Sequence, residues 1–310
     1  MKVAVIGAGA VGSAAANALV LDGVAQEIVL IDLDAARAGA EAADIAHAAP
    51  FGSAARVTSG DWSALAGSAA VVLTAGVAQA PGETRLDLLG RNAAVFRTVL
   101  AHVMAHAPGA ILVVATNPVD VMTAIATHLS GKPPGEVIGT GTILDTARFR
   151  TLLSDHLGIT PRSLHAYVLG EHGDSEVLAW SSARAGNVDM KEFAAQIGAP
   201  LTEDVMARID QGVRHAAYEI IAGKGYTNYG IGAGIARILR SVLTDEQAVL
   251  SVSCLTGDVA GVADVAVSLP RVVGASGVSA DLMPQLDTEE AKALAASAKL
   301  IRDLTEAVVL

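Results

Sequence analysis

One histidine and an aspartate–arginine pair are the residues of this chain best suited to acid–base chemistry. His172 lies between glycines in the segment GEHGDS, after a strand-like stretch, where its ring could project into a cleft. Imidazole is the side chain whose ordinary pKa allows it to give and take a proton near neutral pH. Asp145 and Arg148 are three positions apart on a predicted helix, so their side chains share a face. They can form a surface ion pair, or Arg148 can bind a carboxylate through two parallel hydrogen bonds.

A glycine-rich turn near the start of the chain has the spacing of a dinucleotide site. Gly7, Gly9 and Gly12 form a GxGxxG pattern between a predicted strand and a predicted helix. Glycines there allow a tight turn, close approach of the backbone to a pyrophosphate, and close helix–strand packing. Asp32 follows 20 residues after Gly12, at the end of the second predicted strand. An acid there accepts hydrogen bonds from the ribose hydroxyls and repels the 2′-phosphate of NADP, which predicts NAD as the cofactor.

Buried strands alternate with helices through the first half of the chain. Apolar runs predict strands at 2–6, 27–32, 69–75 and 110–115, and the patterns between and after them predict helices at 12–22, 35–47, 86–106 and 119–129. This alternation favours an α/β fold with a doubly wound parallel sheet and right-handed crossovers.

The second half has a mixed α+β pattern. Helices are predicted near 144–157, 202–222, 231–242 and 288–308, and strands near 163–169, 246–253 and 263–270. We therefore expect a nucleotide-binding domain at 1–142 and a catalytic, substrate-binding domain at 143–310. The boundary is a change of pattern, without a proline-rich linker.

Composition restricts the function classes further. The chain has 310 residues, 52% of them hydrophobic, and a formal net charge of −11. A surface this acidic is repelled by nucleic acid and by anionic lipid, so we expect neither as a partner. Cys254 is the only cysteine, so no intrachain disulfide can form, and no residue cluster suggests a metal site. Glycines interrupt the apolar run 3–21, which favours a strand and a helix over a signal peptide and predicts a cytoplasmic protein.

Four motifs together resemble those of the lactate/malate dehydrogenase family. They are QAPGETR at 79–85, TNP at 116–118, LDTAR at 144–148 and GEHGDS at 170–175, in family order along the whole chain. The resemblance implies a Rossmann nucleotide-binding domain and hydride transfer between NAD and a small 2-hydroxy acid. The cofactor contacts that it implies are Gly7, Gly9, Val11, Gly12, Asp32, Thr74, Ala75, Gly76, Asn92, Ala115, Asn117 and Ile231.

The resemblance also assigns roles in the reaction. His172 is the expected acid/base, and Asp145 orients it and favours its charged form. Arg148 is expected to bind the substrate carboxylate, so that Asp145 and Arg148 have separate partners in this hypothesis. Further substrate contacts are expected from Asn117 and Thr227.

A loop at about 77–87 is expected to determine substrate specificity. In the resemblance, Arg85 polarises the ketone when this loop closes, and Gln79 faces the group on the third carbon of the substrate. A neutral glutamine tolerates the methyl group of pyruvate but offers no countercharge to the second carboxylate of oxaloacetate. This favours pyruvate and L-lactate, with malate or a broader range of 2-hydroxy acids as the alternative. A non-catalytic NAD-binding protein is disfavoured, because Arg85, Asp145, Arg148 and His172 are all present.

Two further cationic residues predict an effector site. Arg150 and His165 match positions that bind fructose 1,6-bisphosphate across a subunit interface in the activated bacterial members of the family. Two cations from each of two subunits would receive one strongly anionic ligand, so its binding would favour one quaternary arrangement. The alternative is an ordinary helix arginine and strand histidine at an interface. The resemblance predicts a homotetramer that fructose 1,6-bisphosphate activates.

Overall fold

The first half of the chain forms a parallel sheet between two layers of helices. The computed structural model describes residues 1–77 and 85–309. The elements of this half are β1 (Lys2–Ile6), α1 (Ala10–Asp22), β2 (Glu27–Ile31), α2 (Ala35–Gly52), β3 (Arg56–Ser59), β4 (Ser68–Leu73), α3 (Arg85–His106), β5 (Ile111–Val114), α4 (Val119–Ser130) and β6 (Val137–Gly139). The strands lie in the order β3-β2-β1-β4-β5-β6, and each neighbouring pair is parallel. This confirms the α/β fold with a doubly wound parallel sheet, in which ligands bind at the carboxyl ends of the strands where the order reverses, here beside β1.

The second half extends the same sheet and adds a smaller layer. Its elements are α5 (Ile143–Leu157), β7 (Leu164–His165), β8 (Val168–Leu169), β9 (Val177–Leu178), β10 (Arg184–Ala185), β11 (Val188–Asp189), α6 (Met190–Gln196), α7 (Glu203–Lys224), α8 (Tyr229–Thr244), β12 (Ala248–Val259), β13 (Val262–Gly274), β14 (Gly277–Asp281) and α9 (Thr288–Val309). β12 pairs antiparallel with β6 through Ser253 and Gly139, and β13 and β14 follow. One sheet of nine strands therefore runs through the described part of both halves.

Apolar side chains cover both faces of this sheet. One cluster packs between the sheet and α3, α4 and α9, and a second packs between the sheet and α1, α2 and α8. A third cluster surrounds Phe149 and joins α5 and α7 to the short strands. The helices α4, α5 and α8 are thus fixed by burial close to the carboxyl ends of the strands, where the candidate site lies.

Several elements differ from the sequence prediction. The prediction missed β3 and β6, which have only four and three residues and show no usable periodicity. A single strand at 163–169 is wrong, because β7 pairs with β10 whereas β8 pairs with β9 in another sheet. The β12–β13 hairpin is longer than predicted, and its two strands pair along almost their whole length. Helix α2 continues past its predicted end at residue 47, since Pro50 near its C-terminus removes only one backbone donor.

Within residues 1–77 and 85–309, none of the helices has the length and apolar character needed to span a membrane. The same residues contain no group of three or more His, Cys, Asp or Glu side chains that could hold a metal ion.

Candidate active site

The turn between β1 and α1 forms the nucleotide end of the site. Gly7 has a φ of +103°, which L side chains rarely adopt, and its N–H donates to the Ile31 carbonyl at 2.8 Å. A Cβ on Gly12 would lie 1.9 Å from the Gly7 carbonyl oxygen, so α1 begins in direct contact with the turn. A Cβ on Gly9 would meet no described atom within 4 Å. The turn is therefore open on the side of Gly9, where a pyrophosphate could reach the helix N-terminus.

Asp32 ties this turn to the end of β2. Its Oδ2 accepts the N–H of Ala8 at 2.6 Å, and its Oδ1 accepts the N–H of Asp34 at 2.9 Å. Asp32 also lines a hollow of about 390 Å³, as do the predicted residues Gly7, Gly9, Thr74, Ala75 and Gly76. An open glycine turn beside a carboxylate fits the pyrophosphate and the ribose hydroxyls of NAD.

One large aromatic side chain in the lining of this hollow was not predicted from the sequence. Trp62 lines it and stacks on His102 of α3, with ring centroids 4.4 Å apart and planes 2° from parallel. The other lining residues that were not predicted are Ile6, Leu33, Arg37, Val77, Val95, Thr98 and Val99. Trp62 follows β3, a strand too short to predict, so nothing in the sequence pattern indicated that its ring would face the strand ends.

Asn92 holds three predicted cofactor segments together. It is 2% exposed, and its Oδ1 accepts the N–H of Val77 at 2.9 Å while its Nδ2 donates to the Asn117 carbonyl at 3.3 Å. Thr116, which was named from the sequence only as part of the TNP motif and not as a site residue, donates to the Ala75 carbonyl at 2.8 Å. The carboxyl ends of β4 and β5 are therefore linked to each other and to α3.

The predicted acid/base residues lie in direct contact. His172 Nδ1 is 2.5 Å from Asp145 Oδ2, and Arg148 Nη1 donates to Asp145 Oδ1 at 2.7 Å. Asp145 is 2% exposed, whereas the His172 side chain is 26% exposed and so can be reached by a ligand. Asp145 thus contacts His172 as expected, and the same carboxylate also binds the guanidinium of Arg148. Their spacing on α5 makes this geometry possible, since positions three apart share a helix face.

The charges around His172 favour its protonated form. Burial opposes the charge, but the carboxylate of Asp145, and then those of Asp120 and Glu176, raise the pKa of His172 to about 9. In the same way, burial opposes the charge of Asp145, but His172 and Arg148 outweigh it and lower the pKa of that carboxyl. His172 can therefore carry a proton at neutral pH before any substrate binds.

Two buried carboxyls beside His172 were not predicted. Asp120 accepts the backbone N–H of His172 at 2.7 Å. Glu176 is 4% exposed, and burial, reinforced by the charge of Asp145, raises its pKa to about 8. Both lie within four residues of a predicted site residue, yet an acid in a helix first turn or after a glycine turn is usually a capping or surface residue.

For the remaining predicted residues of the NAD and substrate sites, the structure gives mainly their burial and their place in the fold. Val11, Ala115 and Ile231 are partly buried and pack against the same apolar cluster, next to the glycine turn. Thr227 is half-buried in the connection between α7 and α8. Arg85 is the first residue of α3, but its side chain lies outside what the structure describes, as does all of Gln79.

Arg150 and His165 are neighbours on the surface of the second half. Arg150 Nε donates to the Ala166 carbonyl at 2.9 Å, and its guanidinium lies 4.8 Å from the ring centroid of Tyr167. His165 is exposed on β7. The two predicted effector residues are therefore brought to one place.

Comparison with known proteins identifies the family of the whole chain. The sequence model described as lactate/malate dehydrogenase, NAD binding domain, matches residues 1–139, and the one described as lactate/malate dehydrogenase, alpha/beta C-terminal domain, matches residues 142–309. The chain belongs to the lactate/malate dehydrogenase family. Like its relatives in that family, it is an NAD-dependent oxidoreductase, and NAD is its cofactor.

Individual members of the lactate/malate dehydrogenase family match along nearly their full length. The L-lactate dehydrogenase of Allorhizobium ampelinum is 58% identical, and that of Thermus aquaticus is 57% identical, with 99% of each chain covered in both comparisons. A lactate dehydrogenase from a Medee basin deep-sea metagenome library has a solved structure that superposes with a TM-score of 0.96 at 39% identity, covering 100% of this chain and 99% of that one. The minor L-lactate dehydrogenase from Enterococcus mundtii, solved with ligands bound, gives 0.95 at 39% identity, covering 99% and 98%.

Proposed function

We propose that this protein interconverts pyruvate and NADH with L-lactate and NAD. The observation that carries the proposal is the single Asp145 carboxylate, which lies 2.5 Å from the His172 ring nitrogen and 2.7 Å from Arg148. A proton donor and a guanidinium that can bind a carboxylate are thereby held side by side. The names of the relatives at 58% and 57% identity support the same reaction.

The proposed mechanism assigns one task to each side chain. NAD, when bound, supplies the hydride chemistry. His172, with its raised pKa, gives its proton to the ketone oxygen of pyruvate and takes it back in the oxidation of lactate. Arg148 uses Nη1 for Asp145, so its Nε and Nη2 can bind the two oxygens of the substrate carboxylate. Asp145 keeps the imidazole oriented and stabilises its charge.

Loop residues complete the proposed substrate site. Arg85 is proposed to stabilise the negative charge that develops on the ketone oxygen, in a site from which water has been excluded. Asn117 is proposed to hydrogen-bond the same oxygen, and Thr227 to line the pocket. These roles rest on the family resemblance of the motifs that contain these residues.

Gln79 is proposed to select pyruvate over oxaloacetate. A second substrate carboxylate facing this amide would be buried without a countercharge, which costs several kcal/mol. We expect kcat/KM with NADH to be at least about 100-fold higher for pyruvate than for oxaloacetate, because about 1.4 kcal/mol corresponds to tenfold in rate. Steady-state assays with the two acids measure this ratio. A preference for oxaloacetate would replace the proposal with malate dehydrogenase, and similar rates with several larger 2-oxo acids would indicate a broader enzyme.

The same assays test the selecting residue. Gln79→Arg is expected to raise kcat/KM for oxaloacetate and lower it for pyruvate, since the new cation pairs with the second carboxylate. Gln196→Arg, which adds the same charge on exposed α6, is the matched control and should leave the ratio unchanged. If Gln79→Arg does not move the ratio, another residue controls selection.

We further propose that fructose 1,6-bisphosphate activates the enzyme as a homotetramer through Arg150 and His165. The observation that favours this is the hydrogen bond from Arg150 to the backbone carbonyl of Ala166, the residue that follows exposed His165. Two such cationic pairs from adjacent subunits would offer four donors to one bisphosphate.

Pyruvate saturation curves test the effector proposal. Millimolar fructose 1,6-bisphosphate near neutral pH is expected to lower the half-saturating pyruvate concentration by about 5- to 150-fold, the range of typical allosteric coupling. Arg150→Gln should abolish this response, whereas Arg56→Gln on exposed β3 should retain it. Sedimentation reports the oligomeric state in parallel. An unchanged saturation curve for the unmodified protein would overturn the proposal.

A further inference from the structure

A buried carboxylate lies behind the backbone of the proposed proton donor. Asp120 is 1% exposed and occupies the first turn of α4, three residues after Asn117. Its Oδ2 accepts the N–H of His172 at 2.7 Å. His172 is thus held at two points, because Asp145 of α5 contacts its ring and Asp120 of α4 contacts its main chain.

Packing alone does not call for a carboxyl at this position. Asp120 Oδ1 and the hydroxyl of Ser253 on β12 are both buried without a hydrogen bond of ordinary geometry among the described residues, although the two groups are close enough to interact. A buried carboxylate with an unused oxygen is costly to fold. The carboxyl is therefore explained by what it contacts, the main chain of His172 and the hydroxyl of Ser253.

We propose that Asp120 is a positioning residue for the reaction: its carboxylate fixes the main chain of His172, its charge helps to keep the imidazole protonated, and its helix links the proton donor to the Asn117–Pro118 turn. Asn117 directly precedes Pro118 and α4, and its carbonyl accepts a hydrogen bond from Asn92. The segment that is proposed to contact nicotinamide and substrate is therefore joined through one helical turn to the residue that holds the acid/base. The inference rests on the proposed function, because it concerns the proton that His172 transfers.

Asp120 also acts on the charge of His172. Burial raises the pKa of Asp120 to about 6, although the N–H and the charge of His172 and the hydroxyl of Ser253 lower it. Asp120 is thus mostly an anion above pH 6 or so, and this anion contributes to the raised pKa of His172.

Other charged groups also act on the pKa values of His172, Asp120 and the neighbouring Glu176. Asp145 from α5 and Glu176 from the loop of His172 raise the pKa of His172 in the same direction as Asp120. Glu171 faces Asp120 and raises its pKa. Arg148 of α5 and Arg214 of α7 act on the neighbouring carboxyl of Glu176 and lower its pKa. Because these groups remain in place, removing the charge of Asp120 should shift the titration of His172 without abolishing it.

Asp120→Asn tests the proposal through opposite effects on the two reaction directions. The amide oxygen can still accept the His172 N–H, but the negative charge is gone, so the pKa of His172 should fall by about one pH unit. Pyruvate reduction needs charged His172, so its kcat/KM should decline at a lower pH than in the unmodified enzyme. Lactate oxidation needs neutral His172, so its kcat/KM should rise at a lower pH. Profiles of kcat/KM against pH in both directions measure the shift.

Matched variants separate this role from a general loss of structure. Asp303→Asn removes the same charge from an exposed site on α9 and should leave both profiles unchanged. Thermal unfolding and NADH titration report folding and cofactor binding for each variant. If Asp120→Asn lowers rates equally in both directions at every pH, or leaves both profiles unchanged, the inference is overturned. Inactivity of the unmodified enzyme with pyruvate and NADH would instead overturn the proposed function.

Asp120→Ser keeps the inference testable if Asp120→Asn does not fold. Its smaller side chain removes the same charge and has a hydroxyl oxygen that can accept a hydrogen bond from the His172 N–H. The same shift of the His172 limb to lower pH is expected. In that case, unchanged profiles of Asp120→Ser would contradict a role for Asp120.

Discussion

His172→Gln is expected to lower kcat for pyruvate reduction by about 10²- to 10⁴-fold, the usual contribution of a positioned general acid. Glutamine fills a similar space and can still bond to Asp145, but it has no proton to transfer at neutral pH. The affinity for NADH should be nearly unchanged, because the nucleotide hollow is formed by the glycine turn, β2 and β4 rather than by this loop. Stopped-flow turnover and fluorescence titration with NADH measure the two properties separately.

A second histidine provides the control for this variant. His47→Gln alters an exposed histidine on α2 and should retain full turnover. If His172→Gln keeps the rate of the unmodified enzyme, the proton comes from another group and the proposed mechanism is wrong. If the unmodified protein binds NADH but turns over no 2-oxo acid, the non-catalytic alternative is correct.

The second large effect is expected from substitutions in the glycine turn. We expect Gly12→Ala and Gly9→Ala to differ sharply in their effect on stability. Gly12→Ala places a methyl group 1.9 Å from the Gly7 carbonyl and 2.8 Å from Thr74 Oγ1, and both neighbours are held by hydrogen bonds. The turn must move, which is expected to destabilise the cofactor-free protein by about 1–3 kcal/mol and to weaken NADH binding. Gly9→Ala meets no described atom within 4 Å and has a φ of −77°, which alanine adopts easily.

Gly9→Ala should therefore fold normally and still bind NADH poorly, because its methyl group occupies the path of the pyrophosphate. Thermal unfolding without cofactor and NADH titration distinguish the two variants. Equal losses of stability in both would mean that the space beside Gly9 is not the open side of the turn. Unimpaired NADH binding by Gly9→Ala would mean that the cofactor lies elsewhere.

The parts of the candidate site that depend on local spacing could be predicted from the sequence. The glycine turn, the acid after β2 and the three-residue spacing of Asp145 and Arg148 each reflect one element, and the structure brings all of them to the ends of the strands. Contacts between distant segments were missed. Asp120 and His172 are 52 residues apart, and no periodicity could indicate that α4 would present a carboxylate to that loop.

The sheet also shows that sequence patterns do not reveal contacts between distant segments. A parallel core was predictable from the alternation of buried strands and helices, but the junction of the two halves was not. β6 is three residues long, and β12 meets it at one pair, Gly139 and Ser253. Such a short strand carries no pattern of its own, so the continuity of the nine strands becomes apparent only once the backbone is placed.

The contact between Arg148 and Asp145 also has an entropic consequence. A free arginine side chain has about 2 kcal/mol of rotamer entropy, part of which is lost whenever a ligand immobilises it. Here the guanidinium is already anchored by its hydrogen bond to a buried carboxylate, and the side chain is only 15% exposed. A substrate with very few atoms has few contacts with which to offset such a loss. Because Arg148 is ordered during folding, the proposed three-carbon substrate would not lose binding energy in immobilising this side chain.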